Sequence, residues 1–114
     1  MIDLTQYRRI IAPVHGGRED RDLEALGMIY DRIAANELIL HELAQERAKL
    51  NQFDIAGQAS IDKKAATVQR AIDDFDAEAK VIESRLRTVY KYALATRQAG
   101  DMAAGMSIVK GQSG

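Results

Sequence analysis

Residues 61 to 96 read IDKKAATVQRAIDDFDAEAKVIESRLRTVYKYALAT. Apolar or small side chains recur in this stretch at alternating steps of four and three residues. The positions are Ile61, Ala65, Val68, Ile72, Phe75, Ala79, Ile82, Leu86, Val89, Ala93 and Thr96. A repeat sustained over five heptads is typical of a coiled-coil seam and not of an ordinary globular helix face. We therefore predict a long helix that packs one narrow stripe against another helix.

The same spacing recurs earlier in the chain and predicts a partner helix over residues 20 to 51. Its seam positions are Leu26, Ile29, Ile33, Asn36, Leu40, Leu43, Arg47 and Leu50. Asp20 is the expected N-cap, because its side chain can accept from a free amide of the first turn. The second helix is predicted over 61 to 98, with Ser60 as its N-cap and Gly100 as its terminator.

These elements predict an all-α fold: an antiparallel two-helix coiled-coil hairpin with a short N-terminal helix and an extended C-terminal tail. The corresponding segments are an N-terminal arm (1–17), the helical hairpin (18–99) and the tail (100–114). A cap at Asp3 or Thr5 would start the short helix and Pro13 would end it. Two alternatives stay open: an extended arm, or a first helix that runs unbroken through Gly57 as a single rod.

The charge pattern favours the hairpin. The start of the first long helix is acidic and the end of the second is basic, and antiparallel packing brings these ends together. The acidic residues are Glu19, Asp20, Asp22 and Glu24, and the basic ones are Arg85, Arg87, Lys91 and Arg97. Between the helices, the link 51–60 holds Phe53 and Ile55, which we expect to cover the end of the seam.

A second packing surface is predicted outside the seams. Its residues are Met28, Tyr30, Ala35, Leu38 and Ile39 on the first long helix, together with Tyr90 and Tyr92 on the second. A lone hairpin buries little apolar area, so this surface indicates contact with another copy or another protein. The alternative is that the N-terminal segment folds back over it.

Two polar residues interrupt the first seam, Asn36 and Arg47. A buried Asn in a two-stranded coil fixes register and the number of partners at a cost in stability. We interpret both residues as determinants of register.

Several groups that carry chemistry in other proteins are interpreted as solvated. Glu37 and His41, with Glu42 and Glu46, lack the spacing and the second histidine of a di-iron site. An acidic run around Phe75 consists of Asp73, Asp74, Asp76 and Glu78. These residues lie outside or beside the seam, so we interpret them as solvated too. His15 precedes Gly16 and Gly17, but no phosphate-binding loop is formed there. No catalytic residue, metal or cofactor is predicted.

Bulk charge argues against a nucleic-acid partner, because the formal net charge is −1. The best local candidates are Tyr7 with Arg8 and Arg9, and the basic end of the second helix with Tyr90 and Tyr92. The absence of cysteine excludes disulfides and thiolate metal sites. We expect no membrane span and no signal peptide, and a location in the cytoplasm or within an assembled particle.

The leading functional hypothesis is a non-enzymatic structural or assembly subunit that self-associates or docks into a larger complex through helix packing. By analogy, a small helical subunit of this kind would suit a large assembly such as a virion or a secretion apparatus. The alternatives are a helical binding module or regulator of one protein partner, and a nucleic-acid-binding protein.

Overall fold

A computed structural model describes the backbone of residues 1–11 and 17–113, and the side chains of residues 1–11 and 17–100. The described backbone forms three helices: α1 (Leu4–Ile11), α2 (Arg18–Lys49) and α3 (Ile55–Ser113). No strand occurs in the described backbone, and the all-α prediction is confirmed. The chain divides into two compact units, unit 1 (Met1–Glu24 and Glu83–Gly114) and unit 2 (Ala25–Ile82).

The short helix α1 starts at an aspartate, as the sequence predicts. The backbone N–H of Gln6 donates to Asp3 Oδ1 over 3.2 Å, and the N–H of Tyr7 donates to the Asp3 carbonyl over 3.0 Å. Asp3 is therefore the N-cap of α1. The predicted terminator, Pro13, lies outside the described residues.

Helix α2 starts earlier than predicted. Gly17 has a φ of 69°, a left-handed conformation that glycine adopts without a side-chain penalty, and its carbonyl accepts from the N–H of Arg21 over 3.1 Å. The predicted N-cap, Asp20, is wrong, because Glu19 and Asp20 already belong to the first turn of α2. Their charges still favour the helix, since carboxylates stabilise the positive end of the helix dipole.

The link between α2 and α3 is shorter than the predicted 51–60. Asp54 begins α3: its Oδ1 accepts from the N–H of Gly57 over 2.9 Å, and its carbonyl accepts from Gln58. Ser60 is therefore wrong as N-cap, and the single unbroken rod is excluded. Phe53 and Ile55 do not cover the seam, because they are 80% and 75% exposed.

Helix α3 continues well past its predicted end. It passes through Gly100 and reaches Ser113, so the terminator at Gly100 and the extended tail are both wrong. A glycine inside a helix costs only about 1 kcal/mol. Ala99 before Gly100, and Ala103 and Ala104 after it, have the highest helix propensity of all residues and favour continuation of α3.

Unit 2 is built on the two predicted seams. The seam positions Leu26, Ile29, Ile33, Ile72, Ala79 and Ile82 are buried. Burial weakens towards the link, where Leu40, Leu43, Leu50, Ile61, Ala65 and Val68 are only half-buried. Helices α2 and α3 are also joined by polar contacts, Arg32 with Phe75 and Arg47 with Asp62.

Unit 1 combines α1 with the start of α2 and the later part of α3. The buried apolar side chains among its described residues are Ile11, Leu23, Leu86 and Ala93. Val89 is half-buried, whereas the last predicted seam position, Thr96, is exposed. The seam periodicity therefore identifies the core of both helices but overestimates its length at the end of α3.

Candidate interaction surfaces

Four of the predicted interface residues form an exposed face of α2, which we call the outer α2 face: Met28, Ala35, Leu38 and Ile39. Met28 is 54% exposed, Leu38 58% and Ile39 42%. These four side chains are exposed to solvent in unit 2. Their role as an interface stays a prediction.

A shallow cleft of about 180 Å³ adjoins the outer α2 face in unit 2. Met28 and Arg32 line one wall, while Phe75 and Glu78 of α3 line the other. The guanidinium carbon of Arg32 lies 5.8 Å from the centre of the Phe75 ring, within the range of a cation–π contact. The basic side chain of Arg32 thus packs on the seam residue Phe75 at the edge of the outer α2 face.

The predicted interface tyrosines have different surroundings. Tyr92 is 67% exposed, and Tyr30 is half-buried. The ring of Tyr90 stacks on Tyr7 of α1, with centroids 4.2 Å apart and planes inclined by 12°. Gln6 also donates from Nε2 to the Tyr90 hydroxyl over 3.0 Å. Internal cover by the N-terminal segment is therefore observed at Tyr90, within unit 1.

The two predicted register residues make polar contacts of different kinds. Asn36 is half-buried, and its Nδ2 donates to the carbonyl of Arg32, one turn earlier in the same helix, over 2.8 Å. Arg47 contacts α3 instead: its Nε lies 2.8 Å from Asp62 Oδ1 and its Nη2 lies 3.3 Å from Oδ2. At Arg47 the seam is therefore interrupted by a bidentate, solvent-exposed ion pair with Asp62.

The Arg47–Asp62 contact changes the proton affinity of both groups. The hydrogen bond from Arg47 stabilises the carboxylate and lowers the pKa of Asp62 below its ordinary value. The same hydrogen bond raises the pKa of Arg47 above its ordinary value. Both side chains are about half exposed, so solvent screens the pair.

An ion pair links the acidic start of α2 to the basic segment 85–97 of α3, which the charge pattern brings together. Arg85 donates from Nη2 to Asp22 Oδ1 over 3.0 Å and from Nε to Oδ2 over 3.3 Å. The pair borders a cleft of about 310 Å³ in unit 1 that Arg18, Leu86 and Val89 also line. Arg87, Lys91 and Arg97 are exposed.

The groups considered for metal or acid–base chemistry lie in solvent. Glu37, His41, Glu42 and Glu46 are exposed, as are Asp73, Asp74, Asp76 and Glu78. His41 Nε2 lies 3.2 Å from Gln45 Nε2, Gln69 donates to Asp73, and Lys80 pairs with Asp76. Within the described residues, no group of three or more His, Cys, Asp or Glu side chains could hold a metal ion. His15 lies outside the described part of the chain.

Sequence reasoning missed one buried charge. Glu83 is only 5% exposed, and its carboxylate lies 3.7 Å from the amino group of Met1. It follows the seam residue Ile82 on α3 and belongs to unit 1, which also contains α1. The seam periodicity carries no signal for this burial, because Glu83 lies outside the repeat.

Comparison with known protein families, curated proteins and solved structures finds no match for this chain. In the described residues, no helix combines the length and the apolar character needed to cross a bilayer.

Proposed function

We propose that this chain is a non-enzymatic helical packing subunit that self-associates through the outer α2 face. The observation that carries the proposal is the exposure of Met28, Leu38 and Ile39 on one long helix. Burying the exposed half of each such side chain would contribute about 1 kcal/mol. Contact with another helix is the simplest way to remove this apolar area from water.

The subunit itself is proposed to be an antiparallel hairpin of α2 and α3. Two contacts in unit 2 support this direction: Arg32 meets Phe75, whereas the later Arg47 meets the earlier Asp62. In unit 1, the pairing of Asp22 with Arg85 follows the same reversed order. A five-residue link is also typical of two antiparallel helices.

A narrow core explains why self-association would be useful. The seams contain alanine at several positions and are only half-buried near the link. Ordering a residue costs about 1–2 kcal/mol, so a thin core leaves little net stability. Helices of another copy, packed on the outer α2 face, would bury additional apolar area and so add stability. By analogy, we place such a subunit in a larger protein assembly, such as a virion or a secretion apparatus, or free in the cytoplasm.

The test measures molar mass by size-exclusion chromatography with light scattering over a concentration series. We expect the wild-type chain to form a defined oligomer and Leu38→Glu to dissociate it. Val81→Glu is the matched control, because Val81 is 59% exposed and Leu38 is 58% exposed. Val81 lies on α3 and outside the proposed contact, so its replacement should leave the oligomer intact.

Other outcomes would favour the alternative functions. A stable monomer that binds one other protein, and loses that binding in Leu38→Glu, would indicate a binding module. Salt-sensitive retention of DNA or RNA that depends on the exposed Arg87 and Lys91 would indicate nucleic-acid binding. A folded monomer at all concentrations would overturn the self-association proposal.

A further inference from the structure

The outer α2 face carries a second heptad pattern of its own. Positions at alternating steps of four and three are Met28, Arg32, Ala35, Ile39, Glu42 and Glu46. All six of these side chains are exposed. Leu38 lies beside this stripe, between Ala35 and Ile39 in the helix. The stripe therefore has an apolar centre, a basic residue before it and acidic residues after it.

This order of residues is self-complementary when two α2 helices pack in opposite directions. With a two-fold axis near residue 37, Ala35 of one copy faces Ile39 of the other, and the two Leu38 side chains lie on the same side of the pair, each one residue from the axis. The same register places Arg32 opposite Glu42 on both sides of the apolar centre. Two symmetric ion pairs would then flank one apolar patch, as an isologous two-fold interface requires.

We propose that a second copy of this chain occupies the outer α2 face, antiparallel to the first, in the register that pairs Arg32 with Glu42. This inference rests on the proposed function and specifies its partner and geometry. We choose a second copy as the partner, because the order of basic, apolar and acidic residues makes this face complementary to itself across a two-fold axis.

Other pairings of the same face fit less well. A parallel pair in register brings Arg32 next to Arg32 and Glu42 next to Glu42, which is repulsive. An antiparallel pair shifted by one heptad aligns Met28 with Ile39, but leaves Arg32 opposite Ala35 and Glu42 opposite Ala25. The register that pairs Arg32 with Glu42 is the one of these three that opposes unlike charges on both sides of the apolar centre, and it leaves Glu46 opposite Met28 at the two ends.

The geometry of Arg32 supports its role. Its guanidinium lies 5.8 Å from the centre of the Phe75 ring, beside Met28 in the cleft of unit 2. A guanidinium held against an aromatic face keeps its N–H donors for hydrogen bonds in its own plane. Such a group is oriented before the second copy arrives, which lowers the entropy cost of pairing with Glu42.

The test uses two single variants of the full chain, Arg32→Glu and Glu42→Arg. Alone, each variant faces like charges in both symmetric pairs, so we expect its dimer dissociation constant to rise about tenfold. Mixed in equal amounts, the two variants restore opposite charges at both pairs, and we expect a heterodimer close to wild-type affinity. Sedimentation equilibrium measures all three samples, and circular dichroism checks that each variant keeps its helix content.

Asp74→Arg is the control, because it reverses an exposed carboxylate on α3 and should leave the dimer unchanged. If the mixture associates no better than the separate variants while Leu38→Glu still dissociates the wild type, this register is overturned and the proposed function stands. A wild-type chain that is monomeric at every concentration overturns both.

Discussion

At the scale of single residues, two glycines of α3 occupy different environments. Gly57 lies in the first turn, where its N–H donates to the Asp54 carboxylate over 2.9 Å. A Cβ added at Gly57 would come within 2.5 Å of the Asp54 side chain. At Gly100, an added Cβ would meet no atom within 4 Å. The same substitution should therefore have different consequences at the two positions.

We expect Gly100→Ala to stabilise the protein by about 0.5–1 kcal/mol, because alanine loses less backbone entropy in a helix. Gly57→Ala should gain nothing or be destabilising, since the Asp54 carboxylate must move away from its capping position. Urea unfolding measured by circular dichroism compares the two variants. Destabilisation by Gly100→Ala would contradict the continuous α3 and would favour a helix that ends at Gly100.

The Arg47–Asp62 pair predicts a pH-dependent effect. Because the pKa of Asp62 is lowered in the folded protein, the pair contributes stability above the unfolded pKa of about 3.9. That contribution is lost as the pH falls through the lower, folded pKa. Asp62→Asn should therefore lower the melting temperature slightly at pH 7 and have a smaller effect at acidic pH, where the carboxylate of the folded protein takes up a proton.

Asp74→Asn is the control for this experiment, because Asp74 is an exposed carboxylate of the same helix. Thermal scans at both pH values, repeated in high salt, complete the comparison. An Asp62→Asn effect of equal size at acidic and neutral pH would show that its cause is not the ionised pair.

At the scale of elements, α1 is held to α3 by an aromatic stack and two polar contacts. Tyr7 stacks on Tyr90, Gln6 donates to the Tyr90 hydroxyl, and the Met1 amino group approaches the buried Glu83. A helix of eight residues is not stable by itself in water. Its helicity therefore depends on these contacts within unit 1.

Tyr7→Ala should release α1 from α3. The aromatic pair contributes about 0.5–1.5 kcal/mol beyond its buried area, so the folded population of α1 falls when it is lost. Trypsin cleavage after the exposed Arg8 and Arg9 should then become several-fold faster than in the wild type. Thr5→Ala, also on α1 and exposed, should leave the cleavage rate unchanged. Equal rates in Tyr7→Ala and the wild type would show that the stack does not hold α1.

Asn36→Leu tests the register hypothesis on α2. The amide of Asn36 bonds to the carbonyl of Arg32 in its own helix, so leucine removes no hydrogen bond between helices. We expect a higher melting temperature, because a half-buried polar side chain is replaced by an apolar one, and a broader distribution of oligomers. A single assembly of unchanged stoichiometry by light scattering would contradict the register role.

At the scale of the whole molecule, stability should depend on protein concentration. A chain that folds with a thin core and associates through an exposed face is stabilised by mass action. We expect the melting temperature of the wild type to rise by roughly 3–6 °C for each tenfold increase in concentration. Leu38→Glu should melt at a temperature independent of concentration. A concentration-independent wild type would contradict the proposal of self-association.

Helix content, the two seams and the acidic and basic ends were predictable because each is a local pattern. A heptad repeat specifies which side of a helix is apolar, and Ile29, Ile72 and Leu86 are buried as their spacing predicts. Asp3 was one of two predicted caps of α1, and the acidic and basic clusters that contain Asp22 and Arg85 were visible in the sequence, whereas the pairing of these two residues depends on the fold. The outer α2 face was also visible in the sequence, as apolar residues outside the seam.

Other features were settled by tertiary structure, because local energies left alternatives nearly equal. Asp54 and Ser60 are both good N-caps, and only the folded link shows that α3 starts after Asp54. At Gly100, the free-energy cost of one glycine in a helix is only about 1 kcal/mol, which is too small to predict from the sequence whether the helix ends there. The burial of Glu83 and the stacking of Tyr90 depend on where α1 lies, since no period within α3 specifies that position.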